Sequence, residues 1–259
     1  MKVLLLAAGI GSRLRPLTNA WPKCLMPINR IPLLAYWIDE ISRVLPKIVI
    51  INTHWKQSDV SNFVDTFNSS VPMKCIYEPE LLGTAGTIRS LQTYFLGESF
   101  LVIHADNYTN IDLKKFVEFH NSHHYPISMA TFRTDQPEKS GIVELDDFGI
   151  VQKFHEKVKN PPSNLANAAI YIFRPAVLKL LNADTSISDI STELIPKFIG
   201  QIKCFHHLGY NIDIGSGDAL RKAQSITRDE KTTCEIRLNC FTFYNRHFNE
   251  ICALLAGDK

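Results

Sequence analysis

Residues 3–6, Val-Leu-Leu-Leu, form an apolar run of strand length with no helical stripe, and the run empties directly into Ala7-Ala8-Gly9-Ile10-Gly11-Ser12-Arg13. A strand that is apolar on both faces has to be covered on both faces, which points to a parallel strand between helices rather than a half-solvated hairpin. The loop that follows it then lies at the carboxyl edge of the sheet, where ligands bind. Gly9 and Gly11 permit a sharp turn and a close approach of bare N–H groups to an anion, and Arg13, directly after the turn and better placed than Arg15, adds a cation. Such a loop suits a triphosphate. The dinucleotide fingerprint does not fit, because it needs a glycine where Leu14 stands and an acid near the end of residues 48–53. The P-loop fails too, since Ser12-Arg13-Leu14 does not supply its Gly-Lys-Ser/Thr.

The alternation continues along the chain. Leu33, Leu34, Trp37, Ile38, Ile41, Val44 and Leu45 repeat at helical spacing behind Pro32, residues 47–52 read as a strand, 58–67 as a helix and 73–77 as a third strand. After it, Gly83 allows the backbone to lie flat against a planar base, and Thr84 can cap a helix running through Ile88, Leu91 and Tyr94. Residues 99–105 form the next buried strand and end at Asp106, an acid placed to meet phosphates and hold a divalent cation, for which Mg²⁺ is the natural choice. A helix over 112–121 and a strand over 126–133 follow. Residues 141–146, 149–154 and 165–173 are short strands of a small, mostly antiparallel sheet. Helices are expected over 191–198 and 216–226, with a strand at 202–205. Asp213, set between apolar residues on a strand, reads as a buried carboxylate that needs a partner, which a shared metal would supply. Phe241, Tyr244, Phe248, Ile251 and Leu255 form an amphipathic helix, packed on the body or on another subunit.

Ala7-Ala8-Gly9 through Arg13, Pro16-Leu17-Thr18 and Pro22-Lys23-Cys24-Leu25-Met26-Pro27, in this order, resemble the sugar-1-phosphate nucleotidyltransferases, also called nucleoside-diphosphate-sugar pyrophosphorylases. The resemblance runs from residue 1 to about residue 223. The form Glu78…Leu82-Gly83-Thr84-Ala85-Gly86 is most similar to the mannose-1-phosphate and heptose-1-phosphate guanylyltransferases among them. The implied fold is α/β: a Rossmann-like mixed, mainly parallel sheet flanked by helices, with a small antiparallel sugar-binding sheet. The implied organisation is a nucleotidyltransferase domain over 1–226 (nucleotide half 1–133, sugar half 134–226) and a helical extension over 227–259.

The implied reaction joins an NTP, GTP favoured, to a sugar 1-phosphate with release of pyrophosphate. In it Leu6, Ala8, Gly9, Gly11, Glu78, Gly83 and Thr84 line the nucleotide, Arg13, Lys23 and Asp106 are catalytic, and Asp106 and Asp213 hold Mg²⁺. Gly141, Glu156, Lys157 and Asn167 meet the sugar phosphate, although Glu156-Lys157 taken alone would read as an ordinary solvated pair. The chain departs from the family pattern at Ala105, where glycine is usual, and at Ala168-Ala169, where Ala-Gly is usual before Ile-Tyr. Uridylyl transfer to an amino sugar 1-phosphate and a catalytically silent sugar-nucleotide sensor stay open as alternatives. A glycosyltransferase would need an Asp-x-Asp motif that Asp106-Asn107-Tyr108 lacks.

Composition bounds these readings. The chain has 259 residues, 45% of them hydrophobic and 21% charged, with a net charge of +2, which gives no reason to expect nucleic acid or membrane as a partner. The first apolar run is too short for a signal segment, so a cytoplasmic setting is expected. Six cysteines without a Cys-x-x-Cys pair read as reduced thiols, Cys24 among them as a small buried residue. The extension at 227–259 is the candidate surface for a homo-oligomer.

Overall fold

The expected alternation of strands and helices is what the computed structural model contains; it describes residues 1–240 and 246–256. The architecture is a mixed, mainly parallel sheet flanked by helices. Contacts divide the chain into two units, one made of Met1–Leu4, Glu80–His104 and Thr109–Asn211, the other of Leu5–Pro79, Ala105–Tyr108 and Ile212–Lys259. The strand Lys2–Leu6 is thus shared between them.

In the first unit the nine-residue strand Leu165–Phe173 is the axis. One edge runs antiparallel to Phe100–His104 with Phe173 opposite Phe100, and the other runs antiparallel to Ile127–Arg133, on which Ile202–His206 lies parallel. The hairpin of Gly141–Leu145 and Val151–Glu156 joins the same axis through Ala166 opposite Ile142, so the antiparallel part is a wing of the sheet. Phe95, Phe100 and Phe173 are all fully buried: Phe95 stacks on Phe100 with centroids 4.5 Å apart, and Phe173 meets Phe100 edge-on at 5.7 Å.

In the second unit, Val49–Thr53 and Met73–Tyr77 pair in parallel, and every residue of the first strand is buried. Trp37 on the helix Leu33–Ser42 donates its indole N–H to the Asn107 carbonyl at 2.8 Å. The Arg228 guanidinium sits over the rings of Tyr36 and Tyr108, 4.7 and 4.9 Å from their centroids, tying the segment after the helix Gly217–Gln224 to this body. The last helix, Arg246–Ala256, packs on the body as well: the Phe248 ring lies 5.9 Å from Trp21. Phe241 and Tyr244, assigned from periodicity to the same helix, lie outside the described residues.

Three details differ from expectation. The helix after Pro32 stops at Ser42, because the residue before Pro46 cannot continue it; that residue, Leu45, takes φ +46° and is 82% exposed. The stretch expected as a helix over 191–198 is a π turn, Ile190–Leu194, followed by a 3₁₀ turn, Ile195–Phe198, because Pro196 has no N–H to continue an α-helix. Thr84 is not a cap: Gly83 occupies that position without a side-chain bond. All six cysteines are free, and no helix among the described residues is long and apolar enough to cross a membrane.

Candidate functional site

The loop after Lys2–Leu6 is fixed from behind by side chains of the second unit. Ala7 donates its N–H to Asn52 Oδ1 at 2.7 Å, and Asn52 Nδ2 donates to Glu78 Oε1 at 3.1 Å. Both are buried, at 3% and 4% exposure. Through Asn52, Glu78 thus backs the loop that carries Ala8 and Gly9 directly after Leu6 ends the strand. Gly11 takes φ +68°, and Thr18 donates its hydroxyl to the Gly11 carbonyl at 2.7 Å, so the Pro16-Leu17-Thr18 segment locks the turn. Gly9 is exposed with nothing within 4 Å of the place a Cβ would take, so the backbone there is open to a ligand.

Four charged side chains come together in this unit. Lys23, on the short turn Lys23–Leu25, places Nζ 2.5 Å from Asp106 Oδ2 and 2.8 Å from Asp213 Oδ1. Arg13 reaches Asp213 Oδ2 at 3.5 Å. Asp106 follows Phe100–His104, Asp213 ends Asn211–Asp213, and a bond from the Ile214 N–H to the Asp106 carbonyl at 3.1 Å holds the two segments together. A Cβ on Gly215 would lie 2.7 Å from an Arg13 nitrogen, so glycine there makes room for the guanidinium. Asp213 is not the buried carboxylate the sequence implied. Its side chain is 49% exposed, because a three-residue strand leaves its last residue open to solvent, and its partners are cations.

Lys23 is 7% exposed. Burial alone would lower its pKa, but the carboxylates of Asp106 and Asp213 outweigh that and hold the ammonium above its ordinary value. Burial pushes the neighbouring Cys24 thiol up to about 12, in keeping with a small inert core residue. Among the described residues no group of three or more His, Cys, Asp and Glu side chains could hold a metal ion. The converging oxygens of Asp106 and Asp213 are nonetheless a hard donor pair of the kind Mg²⁺ takes when phosphates supply further oxygens, so the residues fit that ion.

The other candidates belong to the first unit. Gly83 takes φ +75°, and any Cβ there would collide with the Ser188 carbonyl oxygen. That carbonyl accepts the N–H groups of Ala85 and Gly86 at 2.8 and 3.2 Å. The Thr84 hydroxyl accepts from the Ile190 N–H at 2.7 Å and donates to Asp189 Oδ2 at 3.0 Å. Glu193 Oε2 in turn accepts the N–H groups of Ser188 and Asp189 at 2.5 and 3.0 Å, and these bonds hold its carboxyl below the usual carboxylate range. Ser188 and Asp189 were not singled out from the sequence; the one available signal was an acid, Glu193, close after a Ser-Asp pair.

Gly141 and Glu156 stand opposite each other in register, with Glu156 Oε2 2.7 Å from where a Gly141 Cβ would be. Lys157 pairs with Glu156 at 2.9 Å and is largely exposed. Asn167, next to Ala166 on the neighbouring strand, donates to the Tyr171 hydroxyl at 2.6 Å and accepts the Ala169 N–H at 2.9 Å. Ala169 itself takes φ +56° within a shift of register between Asn167 and Tyr171, which explains why glycine suits that position better. Ala105 carries no such strain: it is buried and donates its N–H to the Leu6 carbonyl at 3.0 Å.

The family model described as "Nucleotidyl transferase" matches residues 2–230. Mannose-1-phosphate guanylyltransferase 1 of Arabidopsis thaliana is 33% identical over 223 residues, which cover 83% of this chain and 61% of that protein. The chain therefore spans about three fifths of the length of the curated relative it matches. The crystal structure of HddC from Yersinia pseudotuberculosis complexed with GMP-PN superposes with a TM-score of 0.72 at 26% identity, covering 86% of this chain and 97% of that one. A UDP-glucose pyrophosphorylase complexed with UDP-glucose, at 21% identity and a TM-score of 0.74, shares the fold, covering 86% of this chain and 96% of its own.

Proposed function

The chain belongs to the nucleotidyl transferase family, and on that premise we propose that it transfers a nucleotidyl group from an NTP to a sugar 1-phosphate and releases pyrophosphate. The observation that carries this reading is the meeting of Arg13, Lys23, Asp106 and Asp213 beside the glycine turn. Two anions must approach each other in such a reaction, so what the protein contributes is neutralisation and in-line positioning. In this reading the Gly9 and Gly11 amides and the exposed Arg13 guanidinium hold the β- and γ-phosphates that leave. Lys23 stabilises charge that develops at the α-phosphorus, and Lys157 holds the attacking phosphate. No general base is required, because a sugar phosphate is already ionised near neutral pH. Mg²⁺, when bound, supplies charge neutralisation between the triphosphate oxygens, and Asp106 and Asp213 are the residues that would hold it.

Guanine is the favoured base and a mannose- or heptose-type phosphate the favoured acceptor. The relative named as a mannose-1-phosphate guanylyltransferase and the neighbour crystallised with GMP-PN support this preference. Gly83 and Thr84 would flank the base, Glu78 would act from behind the loop, and Gly141, Glu156 and Asn167 would face the sugar. The catalytic domain is proposed to be 1–226, with 227–259 as an extension. Incubating the protein and Mg²⁺ with each NTP against a panel of sugar 1-phosphates, while following pyrophosphate, tests the assignment. Release that is greatest with GTP and mannose 1-phosphate or a heptose 1-phosphate is the expected result. Release with UTP and an amino sugar phosphate would move the specificity, and no release with any pair would leave only a binding role.

A further inference from the structure

We propose that Lys23 keeps the Asp106–Asp213 pair closed to a bare divalent cation and opens it when a nucleotide arrives. The inference rests on the function proposed for this site. Lys23 Nζ lies 2.5 Å from Asp106 Oδ2 and 2.8 Å from Asp213 Oδ1. An Mg²⁺ ion bound by the same two oxygens needs contacts of about 2.1 Å to each. Ammonium and metal therefore compete for one place between two carboxylates and cannot share it.

Charge reinforces the exclusion. Lys23 and Arg13 together balance Asp106 and Asp213, so the four groups sum to no net charge and offer a dication little attraction. The ammonium cannot simply withdraw, because it is 7% exposed and a charge taken from water needs a counter-charge. A triphosphate supplies one. With phosphate oxygens beside the turn, the Lys23 ammonium has a second anion to face, and the carboxylates it leaves become available to the metal that travels with the nucleotide. Metal and nucleotide are then coupled: each raises the affinity for the other, and neither the metal alone nor the carboxylate pair alone makes a tight site.

The test uses Mn²⁺ without nucleotide, followed by electron paramagnetic resonance or calorimetry, so it needs no turnover. Lys23→Met and Lys23→Gln remove the competing charge and are expected to bind one Mn²⁺ per chain at least about tenfold more tightly than the parent. Lys23→Arg keeps the charge and is expected to show no gain, and adding Asp213→Asn to Lys23→Met is expected to abolish it. Equal affinity in the parent and both neutral variants, or a gain that survives Asp213→Asn, would overturn the proposal. The parent provides an independent arm: Mn²⁺ alone should leave its melting temperature unchanged, whereas Mn²⁺ with a non-hydrolysable NTP should raise it. A rise with Mn²⁺ alone would likewise overturn it. No pyrophosphate from the parent under any condition would count against the functional reading instead, and the Mn²⁺ titrations would still decide this one.

Discussion

Two pairs of carboxylates in this molecule are satisfied in opposite ways. Asp106 and Asp213 face cations carried on side chains, with Lys23 Nζ between them and Arg13 beyond. Asp189 and Glu193 face backbone: Asp189 Oδ1 accepts the Thr192 N–H at 2.9 Å, and Glu193 Oε2 accepts the N–H groups of Ser188 and Asp189. A side-chain cation can rotate to a new anion, whereas a backbone N–H stays where the chain puts it. The first pair is therefore suited to exchanging partners with a ligand, and the second to holding the Gly83–Gly86 segment still through the Ser188 carbonyl and the Thr84 hydroxyl. Exchange and support call for different kinds of counter-charge.

The largest effect that would sharpen this contrast lies at the exchangeable pair. Arg13→Ala is expected to lower the rate of pyrophosphate release about 10²- to 10³-fold, the cost of removing one preorganised stabiliser of reaction charge. Its melting temperature should barely move, because the guanidinium is exposed and its 3.5 Å pair with Asp213 is of a kind worth at most about 1 kcal/mol. A variant that loses stability but keeps its rate would break the comparison at its first term.

Acidification probes a third arrangement, a buried polar network around neutral groups. His120 is fully buried between the hydroxyls of Ser128 and Ser99, His123 touches the same Ser128, and Arg174 donates to the backbone carbonyls of both histidines. Burial first, and the Arg174 charge second, depress His120 to about 3 and His123 to about 4 from an ordinary 6.5. The unfolded chain thus takes up protons that the folded one refuses. Stability is full above pH 6.5 and falls as the pH drops toward 4, by about 1.4 kcal/mol per pH unit for His120 and by less for the partly exposed His123. Urea denaturation between pH 7 and 4.5 should show that slope, and His120→Gln should flatten it; an unchanged slope in the variant would assign the loss to other groups.

At the supporting pair, Glu193→Ala strips the acceptor from the Ser188 and Asp189 N–H groups and is expected to lower the denaturation midpoint. On the role proposed for Gly83 and Thr84, the defect reaches substrate only through their segment, so KM for the NTP should rise several-fold while kcat changes little. A fall in kcat at constant KM would mean that Glu193 does not act by positioning. The smallest effect is expected at Ala169→Gly, which removes a Cβ from a left-handed residue and should stabilise the chain by about 1 kcal/mol, read as a melting temperature a few degrees higher.

What was legible in the sequence follows from how local each signal is. Strands and helices came from periodicity, and even the irregular edges had local causes, as the early end of the helix before Pro46 and the π turn before Pro196 show. The glycine turn after the first strand was legible because its residues are contiguous. Pairings across the chain were not: nothing near Asn52 announces that it bridges Ala7 and Glu78, and nothing near Ser188 announces Gly83. Asp213 shows the same limit from the other side. Its need for a counter-charge could be argued from its neighbours, but that Lys23 answers it, and that the strand is too short to bury it, are properties of the fold.

The central claim is that Asp106, Asp213, Lys23 and Arg13 form the centre at which the nucleotide is cleaved. Single-turnover release of pyrophosphate from GTP, with Mg²⁺ and the best acceptor from the panel, compares the parent with Asp106→Ala most directly. The account predicts one pyrophosphate per nucleotide transferred in the parent and a rate at least about a hundredfold lower in the variant. Release at the parental rate from Asp106→Ala would contradict it.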